Sequence, residues 1–187
     1  MKAYLYLLKS GSLKVTKKTQ KELYPLNLLL ECVEGYIIDQ LPAGHSLTGC
    51  DTVGKVGTKL SLLNTMETDE DLLQYFGKDR LDSDTIADAE QFLVKVLSKK
   101  YGQSCISFND LRVKLYFHAH TKRLIDLPCS SDAIQQNIKR AYLQTRIWLE
   151  APFLNAAERL DAQDYGFTFR PDQNILEPYL FSGHKSL

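Results

Sequence analysis

No Cys-x-x-Cys pair occurs among the four cysteines, Cys32, Cys50, Cys105 and Cys129, so zinc-ribbon and thioredoxin-type chemistry is not indicated. No stretch reaches the ~18–20 apolar residues that a helical membrane span needs. The apolar region Leu26 to Leu30 is broken by Asn27 and followed by Glu31. Neither sign of charge is in excess: 23 Lys and Arg face 23 Asp and Glu, so no global field announces nucleic acid or a basic partner. No small-residue cleavage site follows the apolar start, and no signal peptide is read. The chain is therefore expected to be intracellular, with no membrane partner and with buried thiols rather than two disulfides. Internal repeats and low-complexity tracts are also lacking.

What is present is ordinary for a globular chain. The 187 residues are 44% hydrophobic and 25% charged, a length that suits one domain or one plus an appendage. Charge is unevenly placed. Residues 1–24 carry six lysines against Glu22, residues 67–90 carry nine acids against Lys78 and Arg80, and residues 92–150 carry ten basic residues against four acids. Such blocks attract one another in a fold or mark separate surfaces.

Periodicity predicts a mostly helical chain with a small N-terminal sheet. Tyr4 to Leu8 and the stretch around Leu13 and Val15 suit short strands. Pro25 suits a helix start, followed by Leu29, Cys32, Val33, Tyr36 and Ile37 at helical spacing, with Pro42-Ala43-Gly44 as its stop. A short helix is expected through Leu60, Leu62 and Leu63, and another over Asp69 to Phe76 with Thr68 as its cap. Ser83 or Asp84 is expected to cap a longer helix through Ile86, Ala89, Phe92, Leu93, Val96 and Leu97, ending at Tyr101-Gly102. Ser107 and Asp110 resemble a capping box before Leu111, Leu115 and Tyr116. The clearest helix starts at Ser131, with Ile134, Ile138, Ala141, Thr145 and Trp148 along one face and Lys139, Arg140 and Arg146 off it. The tail from Pro152 holds aromatics without a sustained period.

The chemistry-bearing run is Leu41 to Lys59, where Gly49, Gly54 and Gly57 alternate with Lys55 and Lys59 around Asp51. Glycines let backbone amides crowd an anion, and a following helix N-terminus adds positive potential. A Walker A reading fails, because Val56 stands where Ser or Thr must hold Mg²⁺. Asp51 suits either a metal ligand or a helix cap, and His45 either a proton shuttle, a DNA contact or a hydrogen-bonded structural histidine. Lys55 and Lys59 suit either phosphate or solvent. Lys139, Arg140 and Arg146, with Tyr142 interleaved, give the last helix a basic side that faces either a nucleic-acid backbone or water. Trp148 is expected in the core. Asp69, Glu70, Asp71, Asp82 and Asp84 suit helix starts better than a metal cluster, and His118 and His120 point apart on a helix.

Leu47-Thr48-Gly49-Cys50-Asp51, with its Gly/Lys turn and short helix, resembles the Gly-Cys-Asp segment of the flap-endonuclease and XPG-type, PIN-like nucleases. In those enzymes the aspartate helps to bind the catalytic metal and the glycine turn after it binds the DNA backbone. The string His45-x-Leu47-Thr48-Gly49-Cys50-Asp51-Thr52 is similar to a group of animal mobile-element-associated proteins. The similarity extends through Leu127-Pro128, the helix Ala133 to Ala141, Trp148 and Asp164-Tyr165-Gly166-Phe167. The resemblance implies the helical C-terminal half of a PIN-like α/β domain with a small N-terminal sheet remnant. Its boundaries are residues 1–128 for the partial nuclease-like region and 129–187 for the C-terminal helix and aromatic tail. It implies Asp51 as a ligand of Mg²⁺ or Mn²⁺, and Gly54, Lys55, Gly57, Lys59, Lys139 and Arg140 against a DNA backbone, in a nuclear setting. The family's upstream carboxylates have no counterpart: Met1 to Gln40 contains only Glu22, Glu31, Glu34 and Asp39, none in an Asp-x-Asp on an apolar strand. One carboxylate holds Mg²⁺ poorly, since catalysis needs several converging on the ion. The expected function is a catalytically incomplete, nuclease-like nucleic-acid-binding module; the alternative is a non-enzymatic helical protein-interaction module.

Overall fold

A computed structural model of the chain describes residues 12–17, 20–25, 34–50, 52–57, 59–68, 72–101, 104–118, 127–151, 153 and 160–179. The described residues form five α-helices and two two-stranded antiparallel sheets. β1 (Ser12–Lys17) pairs with β2 (Gln20–Pro25), in a register that sets Ser12 opposite Pro25. Pro25 thus ends a strand instead of starting a helix. A proline is tolerated at such a sheet edge, where no ladder bond needs its missing N–H. The strand expected at Tyr4 to Leu8 and the residues Leu29, Cys32 and Val33 lie outside the described residues.

α1 (Gly35–Leu47) runs straight through Pro42-Ala43-Gly44, the expected stop. A proline in a helix interior costs about 3 kcal/mol. Packing outweighs it: Ile37, Pro42, Ala43, Gly44 and Leu47 are all buried, and full burial of a large apolar side chain contributes about 1.5–3 kcal/mol. Gly44 admits the neighbouring helix, since a Cβ there would lie 2.6 Å from Leu62 Cδ1. The helix closes later, where Thr48 N–H and Oγ1 both donate to Gly44 O and Gly49 follows at φ +108°.

α2 (Lys59–Met66) packs on α1 and on α3 (Ser83–Tyr101). The helix expected over Asp69 to Phe76 does not form across residues 72–76, which are turns and bends. Thr68 instead donates to Asn64 O and Thr65 O, finishing the helix before it. α3 is capped by Asp82, whose Oδ1 accepts from Thr85 N–H at 2.8 Å, not by Ser83 or Asp84. At α4 (Phe108–His118) the capping box holds: Ser107 Oγ accepts from Asp110 N–H at 3.1 Å. Asp110 reaches back one residue further than usual, accepting from Ile106 N–H at 3.1 Å.

α5 (Ser131–Glu150) is the central helix, touching α1, α3, α4 and the turn Ala162–Tyr165. Ser130 caps it. Its apolar face reads as expected, with Ile134, Ile138, Ala141 and Thr145 buried; Asn137, Arg140 and Tyr142 are buried as well. The tail contributes to this at Arg140 and Tyr142. It closes as a hairpin of β3 (Phe167–Arg170) and β4 (Ile175–Pro178), preceded by a turn that stacks Tyr165 on Tyr142 at 5.8 Å. One cluster of buried side chains runs from Ile37 to Tyr142. The thiols are less buried than expected: Cys50 and Cys105 are half-buried and Cys129 is exposed, while Cys32 lies outside the described residues. Among the described residues no helix is long and apolar enough to cross a membrane.

Candidate functional site

The Gly49–Gly57 run is pinned between the end of α1 and one face of α5. Cys50 and Val53 exchange both backbone hydrogen bonds (3.2 and 3.3 Å), closing a tight turn. At its tip Thr52 Oγ1 donates to Gln144 Oε1 of α5 at 2.7 Å and lies 3.4 Å from Cys50 Sγ. Asn137 then clamps the next residue on both sides: Gly54 N–H donates to Asn137 Oδ1 at 3.2 Å, and Asn137 Nδ2 donates to Gly54 O at 3.3 Å. Val56 N–H returns to Thr48 O. Gly49 is required by this closeness, because a Cβ there would lie 2.6 Å from Lys55 Cα.

Between the turn and the helices opens a cavity of about 680 Å³. Its lining includes His45 and Thr48 from α1, Thr52 and Lys55 from the turn, and Gln144 and Trp148 from α5. His45 and Trp148 stack, with ring centroids 5.5 Å apart and planes 19° apart. The two helices that carry them are locked nearby, where Ser46 Oγ, next to His45, and Thr145 Oγ1, one turn before Trp148, share a buried 2.7 Å hydrogen bond.

The residues expected to bind are thus treated differently by the fold. Lys55 is exposed and lines the cavity. Gly57 lines it too, yet its left-handed φ of +73° and a 2.6 Å approach of Val96 to its Cβ position show a packing reason for glycine. Gly54 N–H donates to Asn137 Oδ1. Arg140 is only 9% exposed, donates to Gly166 O at 2.9 Å, to Tyr179 O at 3.5 Å and to Asn137 Oδ1 at 3.4 Å, and so ties the tail to the clamp. Burial pushes its guanidinium below the usual arginine value. Lys139 is half-buried on α5 and is not part of the cavity lining. Lys59 opens α2, but its side chain lies outside the described residues, as does Asp51 altogether.

Gln144, Trp148 and Asn137 went unrecognised in the sequence. A signal existed, since 137, 144 and 148 fall on one helical stripe beside the apolar 134/138/141/145 face. Trp148, expected in the core, is a half-buried cleft wall. A hard divalent cation wants several oxygen ligands, carboxylates first. Among the described residues no group of three or more His, Cys, Asp or Glu comes together, and none of the described residues lining the cavity is a carboxylate. No protein-family model, curated protein or solved structure matches the chain.

Proposed function

We propose that this chain is a nucleic-acid-binding module of nuclease-like, PIN-related and mobile-element-associated origin that does not itself cleave. The observation that carries the reading is the convergence of the His45–Thr52 segment, Lys55 and an aromatic pair on one cleft. Stacking surfaces beside a cation are what single-stranded nucleic acid requires, because every base has a π-face and every linkage a charge. Cleavage would need converging carboxylates, and Asp51 is the one carboxylate of the Gly49–Gly57 run. A nuclear, intracellular setting belongs with this function.

The test is binding of labelled single-stranded DNA by fluorescence anisotropy over a salt series. Two phosphate contacts, from Lys55 and Lys59, give a slope of log affinity against log salt near about −1.4, and Lys55→Ala lowers its magnitude by about 0.7. Incubation with Mn²⁺ leaves flap and single-stranded DNA intact. Cleavage that Asp51→Asn abolishes would refute the non-cleaving part of the proposal.

A second reading, a helical protein-interaction module, is favoured by one surface. Val113, Tyr116 and Phe117 of α4 are exposed, Phe117 by 71%, and Ile106 just before the helix is 88% exposed. Salt-insensitive binding to a protein, lost on Phe117→Ser and indifferent to Lys55→Ala, would decide for it.

A further inference from the structure

We infer that the cleft holds one nucleotide with an unpaired base, the base against the His45–Trp148 pair and the phosphate at Lys55; this rests on the nucleic-acid reading and deepens it. The volume of about 680 Å³ lies within the range of small-ligand sites, roughly 300–1,000 Å³, and is far too small for a duplex. Aromatic rings inside a cleft accept a base only when it is out of a double-helical stack.

Two further features make the site more than an aromatic contact. Gln144 accepts from Thr52 through its carbonyl oxygen, which leaves the amide NH₂ of a cavity-lining side chain with two donors for a base carbonyl or ring nitrogen. The Ser46–Thr145 hydrogen bond between α1 and α5 holds the helices of the stacked rings together before any ligand arrives, and the Asn137 clamp holds the turn that carries Lys55. Such preorganisation spares the ligand the ordering of its own site. Lys55 stands on the same turn, next to the clamped Gly54 and exposed to solvent, where a 5′ or bridging phosphate would meet it.

The chain supplies its own probe. Its single tryptophan is Trp148, so tryptophan emission, excited to the red of the absorption of the ten tyrosines, reports this cleft. A twelve-residue oligothymidylate titrated into the full chain is expected to quench that emission with the same midpoint as the anisotropy change. Blunt duplex of the same length and inorganic phosphate are expected to leave it unchanged. Quenching by thymidine monophosphate would show that a free nucleotide suffices; quenching by the oligomer alone would show that the nucleotide is strand-borne, and both support the site. His45→Ala, at an exposed position, is expected to weaken oligomer binding about tenfold. Trp148→Phe keeps a ring and is expected to retain binding within about threefold while silencing the signal; circular dichroism checks that both variants fold. Oligomer binding by anisotropy with Trp148 emission unchanged, or equal quenching by duplex, overturns the nucleotide site and leaves nucleic-acid binding standing. No binding by either method overturns both.

Discussion

At the scale of single residues, the fold spends its polar side chains near the cleft on holding backbone. Arg140 is the clearest case. Its bonds join Gly166 and Tyr179 of the tail to Asn137, and Asn137 in turn grips Gly54. Replacing Arg140 with Met fills the volume but takes the guanidinium donor from Gly166 O, which keeps the Tyr179 N–H, and from Asn137 Oδ1. Hydrogen bonds to a charged group contribute about 1.5–3 kcal/mol, so Arg140→Met is expected to lower stability by about 2 kcal/mol and, for a chain of this length, Tm by about 4–8 °C. A thermal melt within 1 °C of wild type would contradict that role. The sequence placed Arg140 on a basic, solvated face because helical geometry alone puts it beside Lys139. Nothing local says that a tail 26 residues further on will cover it. His45 and Lys55 could be singled out in the sequence because they share one short segment with the glycines, whereas Gln144 and Trp148 reach the cavity only through tertiary packing.

At the scale of elements, helix ends obeyed local chemistry more closely than helix middles did. The Ser107/Asp110 box formed as the sequence implies, while Pro42, a strong local breaker, was overridden by a buried helix face. Asp110 also pairs with Lys114 at 3.0 Å, and the hydrogen bond from that ammonium, with the one from Ile106 N–H, holds its carboxyl below the ordinary 3.8. A carboxyl depressed in the folded state contributes stability above its unfolded pKa and loses it as pH falls through the lowered value. The Tm gap between wild type and Asp110→Asn is therefore expected at neutral pH and should close below pH 3.8. A gap that persists or widens in acid contradicts the assignment. Glu90 joins three elements: from α3 it accepts from Ser131 Oγ at 2.7 Å, from Phe108 N–H at 3.4 Å and from Gln135 at 3.3 Å. Its carboxylate thus serves the N-termini of α4 and α5 together, where a negative charge is favoured. Glu90→Ala is expected to cost about 2 kcal/mol by chemical denaturation. Glu90→Gln, which keeps the shape, is expected to recover about half of that loss.

At the scale of the molecule, the ion pairs among the described residues are local. The ion pairs Lys114–Asp110, Arg146–Glu150 and Arg170–Glu177 each join near neighbours, not one block to another. What integrates the fold is α5, which carries the core face, the tail contact and two walls of the cleft on one helix. A ligand that engages Gln144 and Trp148 therefore binds an element that cannot unfold without the rest. Binding to the native state alone stabilises by about 2.7 kcal/mol when ligand is present at about 100 times its Kd. For a chain of this length that corresponds to a rise in Tm of about 5–11 °C. Oligothymidylate at that concentration is expected to produce the rise in wild type and to slow amide exchange across both α1 and α5. Protection confined to the turn at 50–57, with Tm unchanged, would mean that the oligomer binds a locally ordered loop and that the helices take no part.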